Sequence, residues 1–436
     1  MEGYNVQKAF VFQVVLSSVS EREAEESLEE LERLAETAGM VVIGKGRQRR
    51  GKPDPAFYIG KGKALELKAM AEGADLILFD NDLSPAQVKN LEDLLDLRVM
   101  DRTEVVLEIF TRRARTAEAK IQSELARLEY LLPRLVGKGH MLSQIGAVST
   151  VSGRSGTRGP GETKLETLRR HIASRITYLR RELKRIDRRR EVERRGRKGV
   201  IRVALVGYTN VGKSTIFNMI SGANVYVDDK LFSTLDPTVR SVELQSGRKV
   251  VISDTVGFIR NLPPRLIAAF RSTLQEVVDS DIIVHIADAS DPALEDHMEI
   301  IEKTLEDLGA LEIPSILVLN KIDRVDRDRL EYLKDIYRNA VFTSAKEGIG
   351  IEELLRRIDD MVDRFSIPIS LSIPEWDGKT ISRLYEVGKI LEKHVEDGRI
   401  FIKAMVPSGY IGYFRNLHHP PFGCGPPSRF GELDDP

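Results

Sequence analysis

Apolar positions along the first 110 residues alternate between a pattern typical of strands and one typical of helices. Residues 9–16 form an apolar run that predicts a strand, while residues 21–38 place Leu28, Leu31 and Leu34 on one helical face. Two more strands and a helix are predicted at residues 40–43, 74–79 and 84–95. This alternation predicts a small α/β domain with a parallel sheet. The basic, Gly/Pro-rich stretch 44–62 is predicted to be a loop.

Two later segments carry apolar residues at alternating steps of four and three, a heptad-like pattern typical of paired helices. The first seam consists of Ile121, Leu125, Leu128, Leu132 and Leu135, and the second of Ile172, Ile176, Leu179, Leu183 and Ile186. Residues 137–161 between them are too polar and Gly-rich for a helix. We therefore predict an antiparallel helical hairpin with a flexible loop at its tip.

The region 200–364 repeats a short apolar strand followed by a loop. Strands are predicted at 200–206, 250–253, 282–287, 315–319 and 340–343. This is the pattern of a doubly wound α/β sheet, in which ligands bind at the carboxyl ends of the strands. Beyond it, a strand at 368–373, a helix at 380–393 and a strand at 399–406 predict a small βαβ unit, and the tail from Pro407 is predicted to be irregular. The predicted units are an N-terminal α/β domain (1–110), the hairpin (111–199), a doubly wound α/β domain (200–364) and a C-terminal α/β domain (365–436).

The composition is that of a soluble protein. Of the 436 residues, 42% are hydrophobic and 31% are charged, with a net charge of −1. No apolar run approaches the roughly 18 to 20 residues of a spanning helix, and the N-terminal stretch lacks the features of a secretory signal. Cys424 is the only cysteine, which fits a reducing compartment. We expect a cytoplasmic protein.

The loop after the first strand of the 200–364 region fits G-x-x-x-x-G-K-[ST]. It reads Gly207-Tyr208-Thr209-Asn210-Val211-Gly212-Lys213-Ser214, followed by Thr215. Glycines allow backbone N–H groups to surround phosphate oxygens, and the following helix adds partial positive charge at its N-terminus. Lys213 is expected to neutralise the β- and γ-phosphates. The motif predicts a phosphate-binding loop.

Three further motifs follow in the order expected of a guanine-nucleotide site. They are Asp254-Thr255-Val256-Gly257, Asn320-Lys321-Ile322-Asp323 and Ser344-Ala345-Lys346. The Asp323 carboxylate can accept from guanine N1–H and its amino group, a donor pair that adenine lacks. Gly257 can offer its backbone N–H to the γ-phosphate. Together the motifs predict binding of GTP and GDP.

Magnesium is the expected metal, with Ser214, Thr234 and Asp254 as its ligands. Thr234 lies in the stretch Phe232-Ser233-Thr234-Leu235-Asp236, which is predicted to contact the nucleotide and to order only when the γ-phosphate is present. Thr234 is preferred over Thr238 as the ligand, and Thr238 remains the alternative.

Phe258 occupies the position at which Ras-like proteins have a water-orienting glutamine. A phenyl ring cannot polarise water, so slow intrinsic hydrolysis is expected. Asn210 offers another device, because in several GTPases an asparagine at this position helps to hold an activating K⁺ ion. The alternative is an asparagine chosen for turn geometry. The predicted catalytic residues are Lys213, Asn210 and Gly257.

Positive charge is concentrated in residues 162–198, which contain 15 Lys/Arg and 6 Asp/Glu. The segment carries +9 and the rest of the chain −10. Such an excess suits phosphate neutralisation on RNA, although a solvated helix with internal ion pairs is the alternative. A second Gly/Lys cluster at residues 58–63 lacks the spacing of a phosphate-binding loop and is more typical of a turn before a helix.

The chain resembles the HflX family of ribosome-associated GTPases, within the Obg–HflX group. The resemblance rests on GYTNVGKST, LFSTLDPT, DTVGFIRNLP, AFRSTLQEV and GTRGPGETKLE. It covers roughly residues 9–364. The sequence departs from the family at residues 144–155, where a less glycine-rich stretch replaces a compact glycine run.

The resemblance implies binding to the large ribosomal subunit and the splitting or rescue of stalled ribosomes, notably under heat stress. We expect a monomer when it is not bound to the ribosome. Alternatives are a tRNA-modification or ribosome-assembly GTPase and a GTP-dependent protein-binding switch.

Overall fold

The computed structural model describes residues 6–135, 164–196, 200–223, 231–232, 238–260 and 271–417. Its N-terminal part is a four-stranded sheet in the order β2-β1-β3-β4. The strands are Lys8–Leu16 (β1), Val41–Arg50 (β2), Leu76–Phe79 (β3) and Arg98–Asp101 (β4). The helices are Glu21–Thr37 (α1), Lys61–Met70 (α2), Pro85–Leu95 (α3) and Arg102–Arg113 (α4). All strand pairs are parallel, as the alternating pattern predicted.

The second strand is longer than predicted, because it extends to Arg50 into the stretch expected to be a loop. Gly44 and Gly46 are part of this strand and pair with β1. A Cβ added at Gly44 would lie 2.7 Å from the ring of Phe10, and one at Gly46 would lie 3.1 Å from the ring of Phe12. The glycines therefore allow two aromatic rings of β1 to pack over β2, a close approach that a loop prediction cannot anticipate.

The two helices with heptad-like seams are Ala117–Leu131 (α5) and Lys164–Gly196 (α6). Their seams pack together, with Leu125 and Leu135 beside Ile172, Ile176 and Leu179. Ion pairs flank the seam, from Arg175 to Glu124 and from Arg180 to Glu129. At about 1.5 Å per residue α6 is about 50 Å long. The predicted tip loop lies outside the described residues.

The central sheet has six strands in the order β10-β9-β8-β5-β7-β6. The strands are Arg202–Gly207 (β5), Thr238–Glu243 (β6), Lys249–Asp254 (β7), Ile282–Asp288 (β8), Ser315–Asn320 (β9) and Val341–Phe342 (β10). The helices are Lys213–Ser221 (α7), Arg271–Val278 (α8), Leu294–Leu308 (α9), Arg327–Ile336 (α10) and Ile351–Arg364 (α11). The five predicted strands are present. The sixth, β6, is antiparallel to β7 and was not predicted.

The last sheet, in the order β11-β13-β12, is antiparallel throughout. Its elements are Ser366–Pro374 (β11), Gly378–Val387 (α12), Lys389–Glu396 (β12) and Arg399–Pro407 (β13). The helix predicted over 380–393 is present but too long at its C-terminal end, because the chain leaves the helix at Gly388 and forms β12. Asp397 and Gly398 both have positive φ (49° and 71°) and make the tight hairpin turn to β13. The unit is therefore βαββ.

The prediction of an irregular tail from Pro407 is wrong for residues 408–417. A short 3₁₀ turn at Ser408–Tyr410 leads into a helix, Ile411–Leu417 (α13). Tyr410 and Phe414 are buried against the C-terminal sheet, which supplies the apolar anchor that holds these residues in place. Residues 418–436 lie outside the described part of the chain.

The N-terminal and central units share a hydrophobic core. Leu231, Phe232, Val256 and Ile259 of the central unit are buried in one cluster with apolar residues of α1, α4 and the N-terminal sheet. The rings of Phe232 and Phe110 meet edge to face, with 4.7 Å between their centroids. This contact places the N-terminal unit directly against the loops that carry the nucleotide-site motifs.

Candidate nucleotide site

The motifs lie at the carboxyl ends of neighbouring strands in the six-stranded sheet. The loop that follows β5 carries the first motif, Asp254 ends β7, and Asn320 ends β9. Ser344 follows β10 in the same way. Because these strands are parallel, their carboxyl ends lie at one edge, and the sheet brings the separated motifs together.

The loop 207–212 has the backbone geometry that phosphate binding requires. Gly212 (φ 96°) lies immediately before α7, and Asn210 (φ 63°) adopts a left-handed conformation. A Cβ at Gly212 would collide with the side-chain amide of Asn320. The loop therefore needs glycine at this position both for its backbone angle and for close packing.

Lys213 is buried at the start of α7, and its Nζ donates to the carbonyl oxygens of Tyr208 (2.8 Å) and Gly207 (3.2 Å). Burial lowers the pKa of its ammonium group to about 8, while the nearby Asp254 opposes this shift. The ammonium group lies within the curve of the loop, where it can compensate phosphate charge.

Two of the three predicted metal ligands are in contact. The Ser214 hydroxyl donates to Oδ2 of Asp254 at 2.6 Å, and both side chains are buried. Oxygen donors of this kind are the ligands that Mg²⁺ prefers, so the pair fits the expected metal. Thr234 lies outside the described residues, together with Ser233, Leu235 and Asp236. Thr238, the alternative ligand, begins β6 and pairs in register with Asp254.

Backbone hydrogen bonds connect the first motif to the second. The N–H of Thr209 donates to Phe258 (2.8 Å), and the N–H of Phe258 donates to Gly207 (3.1 Å). A Cβ at Gly257 would lie 2.9 Å from Nζ of Lys213, so this glycine lies beside the lysine that was predicted to neutralise phosphate charge. Phe258 is buried in the hydrophobic core of the central unit.

Asn320 connects the loop 207–212 to the third and fourth motifs. Its Nδ2 donates to the carbonyl of Val211 (2.8 Å), and its Oδ1 accepts from Thr343 Oγ1 and the N–H of Ala345 (both 3.0 Å). The asparagine therefore acts as a brace between loops. Thr343 was not among the predicted site residues, because nothing but its place before Ser344 distinguishes it in the sequence.

The Asp323 carboxylate is exposed, and its Oδ1 accepts from Ser344 Oγ at 2.6 Å. This hydrogen bond lowers the pKa of Asp323, which keeps the carboxylate ionised as an acceptor. Lys321 Nζ lies 2.7 Å from Oδ2 of Asp288, a site residue that was not predicted. Its only sequence signal is its place at the end of β8.

The remaining predicted residues fall into two groups. Thr215, Ile322 and Lys346 continue the motifs along α7, after β9 and after β10. Thr255 and Val256 are buried beside Gly257, where the Thr255 hydroxyl donates to the Leu205 carbonyl at 2.6 Å.

Tyr208 makes a contact that the sequence did not reveal. Its hydroxyl donates to Oε1 of Glu30 on α1 (2.9 Å) and accepts from the N–H of Arg260 (2.7 Å). Its ring stacks on His297 of α9, with 3.9 Å between centroids. Glu30 also lies 2.6 Å from the buried guanidinium of Arg102, which pairs with Asp80. The loop 207–212 is thus anchored to the N-terminal unit.

Family models match three successive parts of the chain. Residues 25–111 match a model described as GTP-binding GTPase N-terminal, and residues 113–197 match GTP-binding GTPase Middle Region. Residues 202–321 match a model described as 50S ribosome-binding GTPase.

Curated relatives match over nearly the whole chain. A protein named GTPase HflX from Caldanaerobacter subterraneus is 44% identical, with 93% of each chain covered. The Escherichia coli protein of the same name is 41% identical over 88% of this chain and 90% of its own. Among solved structures, a GTP-binding protein from Sulfolobus solfataricus in complex with GDP is 26% identical, with a TM-score of 0.41, covering 82% of this chain and 98% of its own.

Proposed function

Because this chain belongs to the HflX family of GTPases, we propose that it binds the large ribosomal subunit and couples GTP binding and hydrolysis to the dissociation or rescue of stalled ribosomes under stress. The hydrolysis of GTP to GDP and phosphate is the family's activity. The observation that carries the ribosomal part of the proposal is the unpaired positive charge along α6.

The exposed cations that the structure describes on α6 include paired and unpaired side chains. Arg175, Arg180 and Arg185 are neutralised by carboxylates of α5 or of α6 itself. Five others are exposed and make no ion pair among the described residues: Arg169, Arg181, Lys184, Arg188 and Arg189. Internal ion pairs thus account for only part of the charge. Cations left free in this way are suited to displacing counterions from an RNA backbone.

The site geometry supports a division of labour on GTP. The loop 207–214 surrounds the β- and γ-phosphates with N–H groups, and Lys213 compensates their charge. Asp323 accepts from the guanine edge, held in place by Ser344. Asn320 keeps these two regions in register, since it bonds to both loops.

Magnesium would be held by Ser214, Asp254 and Thr234, and when bound it supplies charge compensation to the β- and γ-phosphates. The proposal also gives Asn210 a place beside an activating K⁺ ion. In both cases the protein's contribution is to fix oxygen donors next to the loop that binds phosphate.

We further propose that the protein acts in the cytoplasm and is a monomer when it is not bound to the ribosome. No helix within the described residues combines the length and apolar character that crossing a bilayer requires.

Sedimentation tests the proposal directly. Purified ribosomes are mixed with the protein and either a non-hydrolysable GTP analogue or GDP, and then separated on a sucrose gradient. We expect co-sedimentation with the large subunit and conversion of whole ribosomes to subunits with the analogue, and little of either with GDP. A protein that stays at the top of the gradient in both conditions would contradict the proposal and favour a role on tRNA or on a protein partner.

A further inference from the structure

The cavity beside the phosphate-binding loop has a wall that belongs to the N-terminal unit. It measures about 340 Å³ and is lined on one side by Thr209, Asn210 and Val211. Residues of α1 also line it, among them Glu29, Glu30 and Arg33, together with Pro292 and Ala293 after β8 and His297 of α9. A helix of the N-terminal unit therefore faces the loop 207–212, where the phosphates of the nucleotide are expected to bind.

Helix α1 is held firmly in this position. Ser20 and Glu23 cap its start reciprocally, and Leu31 and Leu34 are fully buried in the shared core. Glu30 receives the hydrogen bond from Tyr208 and lies beside the buried Arg102. Arg33 follows Glu30 by three residues, which places it on the same side of the helix, one turn further along.

Arg33 carries a charge that no group in the described part of the chain cancels. It is exposed and makes no ion pair with any described residue. Most carboxylates that line the cavity do have partners: Glu26 pairs with Arg22 and Arg260, Asp288 with Lys321, and Asp291 with His297. Glu29 is exposed and forms no ion pair with Arg33, because its carboxylate lies more than 4.0 Å from the guanidinium. The cavity thus presents one uncommitted guanidinium to the loop.

We propose that Arg33 is a catalytic residue of GTP hydrolysis, an arginine finger that the N-terminal domain supplies within the same chain. When water attacks the γ-phosphorus, the bond to the bridging oxygen breaks and its electron pair passes to the β-phosphate, while the water proton ends on the released phosphate. Arg33 stabilises the negative charge that develops on these oxygens. Phe258 cannot assist the water, because its ring is buried in the core. The proposal rests on the phosphate site assigned to residues 207–214.

The test measures single-turnover hydrolysis and nucleotide affinity in the full chain without ribosomes. Arginine fingers supplied in cis or in trans contribute about 10³- to 10⁵-fold in rate, so we expect Arg33→Ala to slow hydrolysis by about 10³-fold or more and Arg33→Lys to be intermediate. GDP affinity should stay within about twofold, whereas binding of GDP with aluminium fluoride, which mimics the transition state, should be lost.

Two controls keep these results interpretable. Glu25→Ala, at an exposed position of α1, should hydrolyse at the parent rate. Lys213→Ala should lose GDP binding, which tests the phosphate site separately from Arg33. If Arg33→Ala retains the parent rate, or loses GTP affinity in proportion to its rate, the proposal is overturned. The same holds if its rate in K⁺ equals that of the parent in K⁺, because the ion beside Asn210 would then supply the charge.

Discussion

The hydroxyl of Tyr208 lies 2.9 Å from a carboxylate oxygen of Glu30, although 178 positions separate the two residues in the chain. Tyr208 belongs to the loop 207–212, for which phosphate binding is proposed, and Glu30 belongs to the first helix of the N-terminal domain. The same hydroxyl accepts from the N–H of Arg260, just after the D-x-x-G motif. Burial and the neighbouring Glu30 carboxylate raise the pKa of Tyr208 well above its ordinary value, so the phenol remains a donor at neutral pH.

Replacing Tyr208 by phenylalanine should loosen this connection. The change leaves a buried carboxylate oxygen and a buried N–H without their partner, which costs about 1 to 3 kcal/mol. We expect the free energy of unfolding in urea to fall by that amount. Tyr178→Phe, at an exposed position of α6, is the matched control and should have no measurable effect. Equal stability of the Tyr208 variant and the parent would show that the interdomain hydrogen bond contributes nothing.

Base selection should depend on Asp323. In Asp323→Asn the side chain presents an amide donor towards the guanine N1–H and amino group, so the preference for GTP over xanthosine triphosphate should fall by at least tenfold. Competition binding of the two nucleotides measures this. Asp326→Asn, at the cap of α10, changes the same functional group away from the base and serves as the control. A GTP preference that survives in Asp323→Asn would mean that another group reads the base.

Introducing the glutamine of Ras-like proteins at position 258 should not accelerate hydrolysis. Phe258 is only 2% exposed and packs in the core of the central domain, so a glutamine there would be buried without partners. We expect Phe258→Gln to destabilise the protein by about 3 kcal/mol or more, with no gain in rate. Phe258→Leu, which keeps the site apolar, should cost less. A faster Phe258→Gln enzyme in single-turnover assays would show that the side chain can reach the water.

The free cations of α6 should govern the salt dependence of ribosome binding. Changing Arg169, Arg181, Lys184, Arg188 and Arg189 to glutamine preserves helix propensity and removes five charges. Affinity for the large subunit should fall, and the slope of log K against log salt should become shallower by about 0.7 to 0.9 per phosphate contact removed. GDP affinity should be unchanged.

The double variant Arg175→Gln/Arg180→Gln is the control for this experiment, because those arginines are already paired with Glu124 and Glu129. Its salt slope should resemble that of the parent. If the variant with five substitutions also retains the salt slope of the parent, the exposed cations of α6 do not contact the ribosome.

Acid should weaken the central domain through His285. Burial lowers the pKa of this imidazole to about 4, whereas the unfolded chain takes up the proton near its ordinary pKa of 6.5. The stabilising effect is therefore complete above pH 6.5 and is lost as the pH falls towards 4, a change of about 3 kcal/mol. Urea unfolding at several pH values should show a shallower acid dependence for His285→Leu than for the parent. The exposed His171→Leu should match the parent.

The sequence predicted correctly that the four motifs lie at one edge of the sheet, because each motif follows a strand of a parallel sheet. Once β5, β7, β9 and β10 are recognised, their carboxyl ends must lie at one edge. The position of each motif directly after a strand thus specifies where the motif lies in the fold. The strands themselves are easy to recognise, because their apolar runs are continuous.

Elements whose structure depends on distant partners were missed. Gly44 and Gly46 resemble loop residues until the rings of Phe10 and Phe12 are placed over them. The helix over 380–393 was predicted too long, because β12 is fixed by pairing with β13 rather than by its own composition. The position of Arg33 in the cavity wall was missed for the same reason, because no local sequence pattern indicates that α1 packs beside the loop 207–212.

The apolar residues that the N-terminal and central domains bury together have a consequence for protein engineering. Phe110 and Phe232 contact each other across the domain boundary, within a core to which both domains contribute. Domains that share a core cannot be exchanged between relatives as independent cassettes. A chimera would need matched substitutions on both sides of the boundary, and a central domain produced alone would expose an apolar face that favours aggregation.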